Sequence, residues 1–187
     1  MTNDNTFTEN RNPLRLNRPV VLVGLMGAGK STIGRRLAAE IGTRFVDSDN
    51  EIAEAAECSI PDIFEIYGEA IFRDLEKRVI IRLLGDGPMV IATGGGAFMN
   101  PDIRAEISKK GISIWLRANV EVLVERVSRR NNRPLLANGD KHAILTRLMQ
   151  ERDPVYGRAD LVVDNNLGEH DKVVGSIVEL LKQRQEI

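Results

Sequence analysis

Val20-Val21-Leu22-Val23-Gly24-Leu25-Met26-Gly27-Ala28-Gly29-Lys30-Ser31-Thr32 runs from an apolar segment into a glycine-rich turn that ends in Lys-Ser. The first four residues show no polar alternation, the pattern of a parallel strand buried on both faces. Gly24 to Ser31 fits G-x4-G-K-[ST], and Ile33, Leu37 and Ile41 then recur four apart. That spacing predicts an amphipathic helix over Ser31–Ile41. Glycines between a strand and a helix let successive backbone N–H groups converge on phosphate oxygens, and the helix adds its positive end. Gly27, Ala28, Gly29, Lys30, Ser31 and Thr32 are therefore the expected contacts to the phosphates of ATP. Lys30 is expected to reach the outer phosphates and act in catalysis, and the Ser31 hydroxyl to ligate Mg2+. A glycine turn ahead of an ordinary helix is the alternative, and the full motif in this context argues against it.

Outward from this unit the texture alternates. Strands are expected at Arg44–Asp47, Met89–Ala92, Ile112–Leu116 and Leu161–Asp164. Helices are expected at Asp49–Glu57, from Ser59 onward, and at Glu69–Leu84, Pro101–Lys110 and Val120–Arg129, the last capped by Asn119. Two more are expected, at Lys141–Arg152, ending before Pro154, and at Asp171–Gln185. Strands alternating with helices predict an α/β layered domain with a mainly parallel sheet. Residues 1–18, rich in Asn and Thr, read as a flexible tail ahead of a single domain over 19–187.

Composition narrows the function. The 187 residues carry 26 basic and 27 acidic groups, a net charge of −1, which gives no whole-chain field for nucleic acid or acidic membrane. One cysteine, Cys58, excludes an internal disulfide, and two histidines count against a His-based metal site. No apolar run reaches the ~18 residues that span a bilayer, and the polar start shows no secretory signal. A cytoplasmic monomer acting on small molecules is the expectation. A guanine-reading N-K-x-D motif is absent, which counts against a switch protein.

A small acceptor is implied by residues away from the phosphate loop. Asp47-Ser48-Asp49 closes the second strand, and in an extended segment residues i and i+2 share a face. Both carboxylates are thus expected at the sheet's carboxyl edge, one anchoring Mg2+ and one accepting a hydroxyl proton. Asp164 also ends an apolar strand; Asp47 is preferred because it comes with a second acid. Gly94-Gly95-Gly96 suits close backbone approach to a ligand, or merely breaks the chain. Arg73 in its helix and Arg152 before Asp153-Pro154-Val155-Tyr156 read as surface residues in isolation. Arg129 to Arg133 holds three arginines in five residues, either a solvated loop or a lid that brings a guanidinium to the transferring phosphate.

Taken together these segments resemble the shikimate kinase family. The resemblance runs from about Pro19 to the last helix. It rests on G-L-M-G-A-G-K-S-T, D-S-D, G-E-A-I-F-R-D-L-E, A-T-G-G-G-A, R-P-L-L and R-D-P-V-Y in the family's order. It implies a three-layer P-loop kinase fold, with a central five-stranded parallel sheet flanked by helices and a lid at about 129–140. It also implies transfer of the γ-phosphoryl of ATP to the 3-hydroxyl of shikimate, with one Mg2+. By the same match Asp47 organises Mg2+, Asp49 contacts the acceptor hydroxyls, and Arg73 and Arg152 hold the carboxylate. Gly94, Gly95 and Gly96 approach the ring, while Phe64, Phe72 and Glu76 line or brace the pocket. Arg133 is the lid arginine on ATP, and Arg130, with Arg129 as competitor, stacks on adenine. The chemistry agrees: a carboxylate calls for paired arginines, and hydroxyls call for an aspartate and backbone groups. Two other readings share parts of this pattern. Another small metabolite kinase, for gluconate or a nucleoside monophosphate, is one, and an inactive nucleotide-binding module is the other. One departure stands out. After Val163-Asp164 the chain reads Asn165-Asn166-Leu167-Gly168-Glu169, without the proline usual in the family's adenine loop.

Overall fold

The structure is a computed structural model that describes residues 15–129, 139–166 and 169–186. Arg130, Arg133 and most of the expected lid lie outside the described residues, as do residues 1–14 of the expected tail. Five strands form one parallel sheet: β1 Val20–Val23, β2 Phe45–Asp47, β3 Val90–Ala92, β4 Ile112–Arg117 and β5 Leu161–Asp164. Their order is β2-β3-β1-β4-β5, so the phosphate-loop strand is central. Every residue of β1 and β3 is buried, which is why these strands are continuous apolar runs.

The helices are α1 Lys30–Ile41, α2 Ser48–Ala55, α3 Ile60–Leu83, α4 Pro101–Lys110, α5 Val120–Ser128, α6 Lys141–Tyr156 and α7 His170–Gln183. A short 3-10 turn spans Ala97–Met99. Ile33, Leu37 and Ile41 of α1 are buried, as their spacing predicts. Register places Asp47 beside Ala92, and Ala92 beside Leu22. The carboxyl ends of β2, β3 and β1 therefore finish level at one edge of the sheet, where open α/β sheets bind ligands.

Four expectations need correction. The helix expected to stop before Pro154 continues through it to Tyr156. A proline that close to a helix end removes little of the hydrogen-bond ladder, and the extra turn buries Tyr156 completely. Asn119 occupies the N-cap position of α5, but its side chain caps nothing; its N–H donates to Asn166 Oδ1 at 2.8 Å. Ser48 and Asp49 are not extended. Asp47 ends β2 and caps α2, accepting from the Asp49 N–H at 3.1 Å. Residues 16–18 are packed: Leu16 is buried, Asn17 N–H donates to the Glu186 carbonyl at 2.8 Å, and Arg18 pairs with the Glu186 carboxylate. Among the described residues no helix is long and apolar enough to cross a membrane.

Candidate active site

The phosphate loop leaves β1 with Gly27 at φ 83° and Gly29 at φ 92°, left-handed values that explain two of its glycines. Gly29 caps α1. Lys30 begins that helix and is buried, and its Nζ donates to the carbonyls of Gly24 at 2.6 Å and Leu25 at 2.9 Å. Its ammonium is thus held across the mouth of the loop. The Ser31 hydroxyl donates to Asp47 Oδ2 at 2.6 Å, a link between α1 and β2. Asp164, the other carboxylate at a strand end, pairs with Arg117 at 2.7 and 3.0 Å. That hydrogen bond holds Asp164 below the usual carboxylate range. The alternative acid is therefore occupied at the far edge of the sheet.

A cleft of about 460 Å³ opens over this edge. Gly27, Gly29, Lys30, Ser31 and Thr32 line it on one side, and Asp47, Asp49, Thr93, Gly94 and Gly95 on the other. The loop after β3 is glycine for a definite reason. A Cβ on Gly94 would lie 2.8 Å from Asp49 Oδ1 and 3.0 Å from Glu76 Oε1. On Gly96 it would lie 2.6 and 2.8 Å from the Arg73 guanidinium nitrogens. Acidic and basic side chains press directly on the backbone at Gly94 and Gly96, so a side chain at either position would displace them.

Arg73, on α3, donates to Glu76 Oε2 at 2.8 Å and to Glu69 Oε1 at 3.2–3.3 Å. Glu76 is only 1% exposed, and its Oε1 is buried without a hydrogen-bond partner. Burial pushes its pKa above the usual value, against the opposing pull of Arg73; Asp49 adds to the rise and Arg152 lowers it. Arg152, on α6, donates to the Gly95 carbonyl at 3.1 Å. Two arginines from helices about 80 residues apart in sequence thus meet one three-glycine loop. Phe64 and Phe72 pack with their rings tilted by 34° and centroids 4.5 Å apart, and the Arg73 guanidinium lies 5.2 Å from the Phe72 ring centroid. Arg73, Arg152, Phe64 and Phe72 lie outside the lining of the large cleft; Arg73 and Arg152 reach the glycine loop at its end.

Sequence reasoning passed over several groups. Arg126 lines the cleft and donates to the Gly27 carbonyl at 3.4 Å; burial lowers its pKa. Asn165, fully buried, donates to the Ala28 carbonyl at 2.8 Å and so anchors the phosphate loop from the segment that lacks the family's proline. His170 lines the same wall, and Tyr156 hydrogen-bonds the Gly95 carbonyl. Arg126 stands on the inner face of an amphipathic helix, a detectable signal. Asn165 and His170 carried none beyond position.

A glycine-rich loop with a buried lysine and two carboxylates line the cleft, and two arginines reach the glycine loop at its end. The sequence model described as "Shikimate kinase" matches residues 26–182. The chain belongs to the shikimate kinase family. The chain is 51% identical over 180 residues to the shikimate kinase of Brucella canis, covering 96% of this chain and 90% of that protein. It is 54% identical over 165 residues to that of Bradyrhizobium diazoefficiens, covering 88% and 80%. A solved shikimate kinase from Acinetobacter baumannii, in complex with shikimate, superposes with a TM-score of 0.86 at 37% identity, covering 90% of this chain and 94% of that one. Members of this family are ATP-dependent kinases of aromatic amino-acid biosynthesis, and this chain is a shikimate kinase by family and by fold.

Proposed function

We propose that the chain transfers the γ-phosphoryl group of ATP to the 3-hydroxyl of shikimate, releasing ADP and shikimate 3-phosphate. The observation that carries the residue assignment is the junction at Gly94–Gly96. There the acid-lined phosphate cleft adjoins a loop reached by Arg73 and Arg152. A ligand with one carboxylate and several hydroxyls fits that junction: its carboxylate toward the arginines, its hydroxyls toward Asp49 and the glycine backbone.

In this reading the phosphate loop and Lys30 hold the β- and γ-phosphates in line with the acceptor. Asp49 orients the hydroxyl and takes its proton as the acceptor oxygen bonds to the γ-phosphorus and the bond to the β-phosphate oxygen breaks. Positioning and charge stabilisation supply most of the acceleration. Ser31 and Asp47 fit Mg2+: both offer oxygen donors and already touch, and this ion commonly takes one or two protein oxygens alongside water and phosphate. When bound, Mg2+ neutralises charge on the β- and γ-phosphates. Arg133 is retained as the lid arginine on ATP and Arg130 as the residue over adenine. The reading places the chain in the cytoplasm as a monomer, with a tail ahead of the packed residues 16–18.

ADP release measured with shikimate, gluconate or AMP as acceptor tests it. Release with shikimate alone is expected. Turnover with gluconate or AMP in its place, or ADP release that no acceptor stimulates, overturns the assignment.

A further inference from the structure

Tyr156 lies at the end of α6, one turn beyond Arg152, and is fully buried. Its ring packs beside Trp115 and Phe98, with centroids 5.8 and 6.4 Å away. Its hydroxyl donates to the Gly95 carbonyl, the same oxygen that accepts from Arg152 Nη1 at 3.1 Å. The nearby Arg152 charge opposes the rise that burial imposes on the Tyr156 hydroxyl pKa, without cancelling it. Tyrosine and arginine therefore form a network through one shared acceptor, the loop carbonyl. Burial holds the Tyr156 hydroxyl at a pKa of about 12, so it keeps its proton throughout the working pH range.

We propose that Tyr156 is a positioning residue for the acceptor site: its hydroxyl fixes the Arg152 guanidinium and the Gly95 carbonyl in one arrangement, so that Arg152 meets the substrate carboxylate already oriented. The inference rests on the carboxylate role given to Arg152 above. An arginine loses much rotamer freedom when it clamps a ligand, and a buried donor–acceptor group that restrains it beforehand lowers that cost. The alternative is that Tyr156 merely fills the core between Trp115 and Phe98. The hydroxyl separates the two, because a phenylalanine retains the packing and loses only the network.

The test is Tyr156→Phe in the full chain, with calorimetric affinities for MgATP, for shikimate, and for an analogue whose carboxylate is replaced by a neutral hydroxymethyl group. The expected result is about a tenfold loss of shikimate affinity, as for a buried hydrogen-bonded group left short of a partner. MgATP affinity should stay within about twofold, which also reports that the variant is folded, and so should affinity for the neutral analogue. Equal losses for shikimate and the neutral analogue overturn the proposal, as does no loss for either. Tyr156→Leu, which removes ring and hydroxyl together, covers the case of a poorly folded phenylalanine variant. It too should separate shikimate from the neutral analogue, and a uniform loss again refutes the network. Failure of the underlying carboxylate reading looks different: the parent protein itself would then fail to prefer shikimate over the neutral analogue.

Discussion

Lys30 shows how a single residue can be committed before its ligand arrives. Its ammonium is buried against the Gly24 and Leu25 carbonyls, so the charge sits over the loop proposed to hold the phosphates. Lys30→Ala should reduce phosphoryl transfer at least ~100-fold while circular dichroism stays native, since α1 is anchored by Ile33, Leu37 and Ile41. Near-normal turnover of that variant would remove the nucleotide from this loop. Glu76 makes a different prediction, about pH. Burial raises its pKa in the folded state above the usual 4.5, so the native protein holds this proton more tightly than the unfolded chain. Stability from this group is then complete below the usual carboxylate range and declines as pH rises through the raised folded value. Urea midpoints of the parent and of Glu76→Gln, compared between about pH 4 and 7, should show the parent losing ground to the variant as pH rises. A constant difference across that range would mean the carboxylate does not titrate with folding.

Among the elements, the inner strands β1, β3 and β4 were legible because they are buried on both faces almost throughout, which writes an unbroken apolar run into the chain, while the edge strands β2 and β5 are only partly buried. The amphipathic helices were legible for the complementary reason. What the pattern hid are contacts made to backbone carbonyls far along the chain. Asn165 on the Ala28 carbonyl and Tyr156 on the Gly95 carbonyl depend on tertiary placement that no local spacing encodes. The two aspartates were rightly grouped, yet for the wrong geometric reason: a strand-to-helix turn, not an extended face, brings them together. Gly68 is the element-scale detail with a measurable cost. It sits inside α3 at φ 80° and ψ 170°, between the segment carrying Phe64 and the one carrying Phe72 and Arg73. A Cβ there would meet nothing within 4 Å, so space is not the constraint. That backbone region is open almost only to glycine, and Gly68→Ala should destabilise the protein by about 1–3 kcal/mol through strain alone. Chemical denaturation measures it; an unchanged midpoint would show that the kink relaxes into a continuous helix.

On the scale of the whole molecule, the acceptor site is where two separate packing problems meet. The helix α3 leans on α2 and α4, while α6 packs on α5 and reaches the 3-10 turn after the glycine loop. Arg73 is delivered by the first group and Arg152 by the second, and only the complete fold brings both to Gly94–Gly96. If both grip one carboxylate, removing either leaves a partly desolvated charge short of a partner, which typically costs about 2–5 kcal/mol. Shikimate affinity should fall roughly 30-fold or more in Arg73→Ala and in Arg152→Ala, with MgATP affinity little changed. The two variants should differ in stability. Arg73→Ala strips the buried Glu76 of its 2.8 Å partner and should lower the melting temperature, whereas Arg152 gives up only one of two donors on the Gly95 carbonyl. The double variant should lose less affinity than the sum of the single losses, because the arginines share one ligand group. Shikimate itself should raise the melting temperature of the parent, by mass action on the folded state, and do so far less in any of the three variants. Strict additivity, with the neutral hydroxymethyl analogue equally sensitive to both substitutions, would mean that the arginines act through the fold and not through the carboxylate.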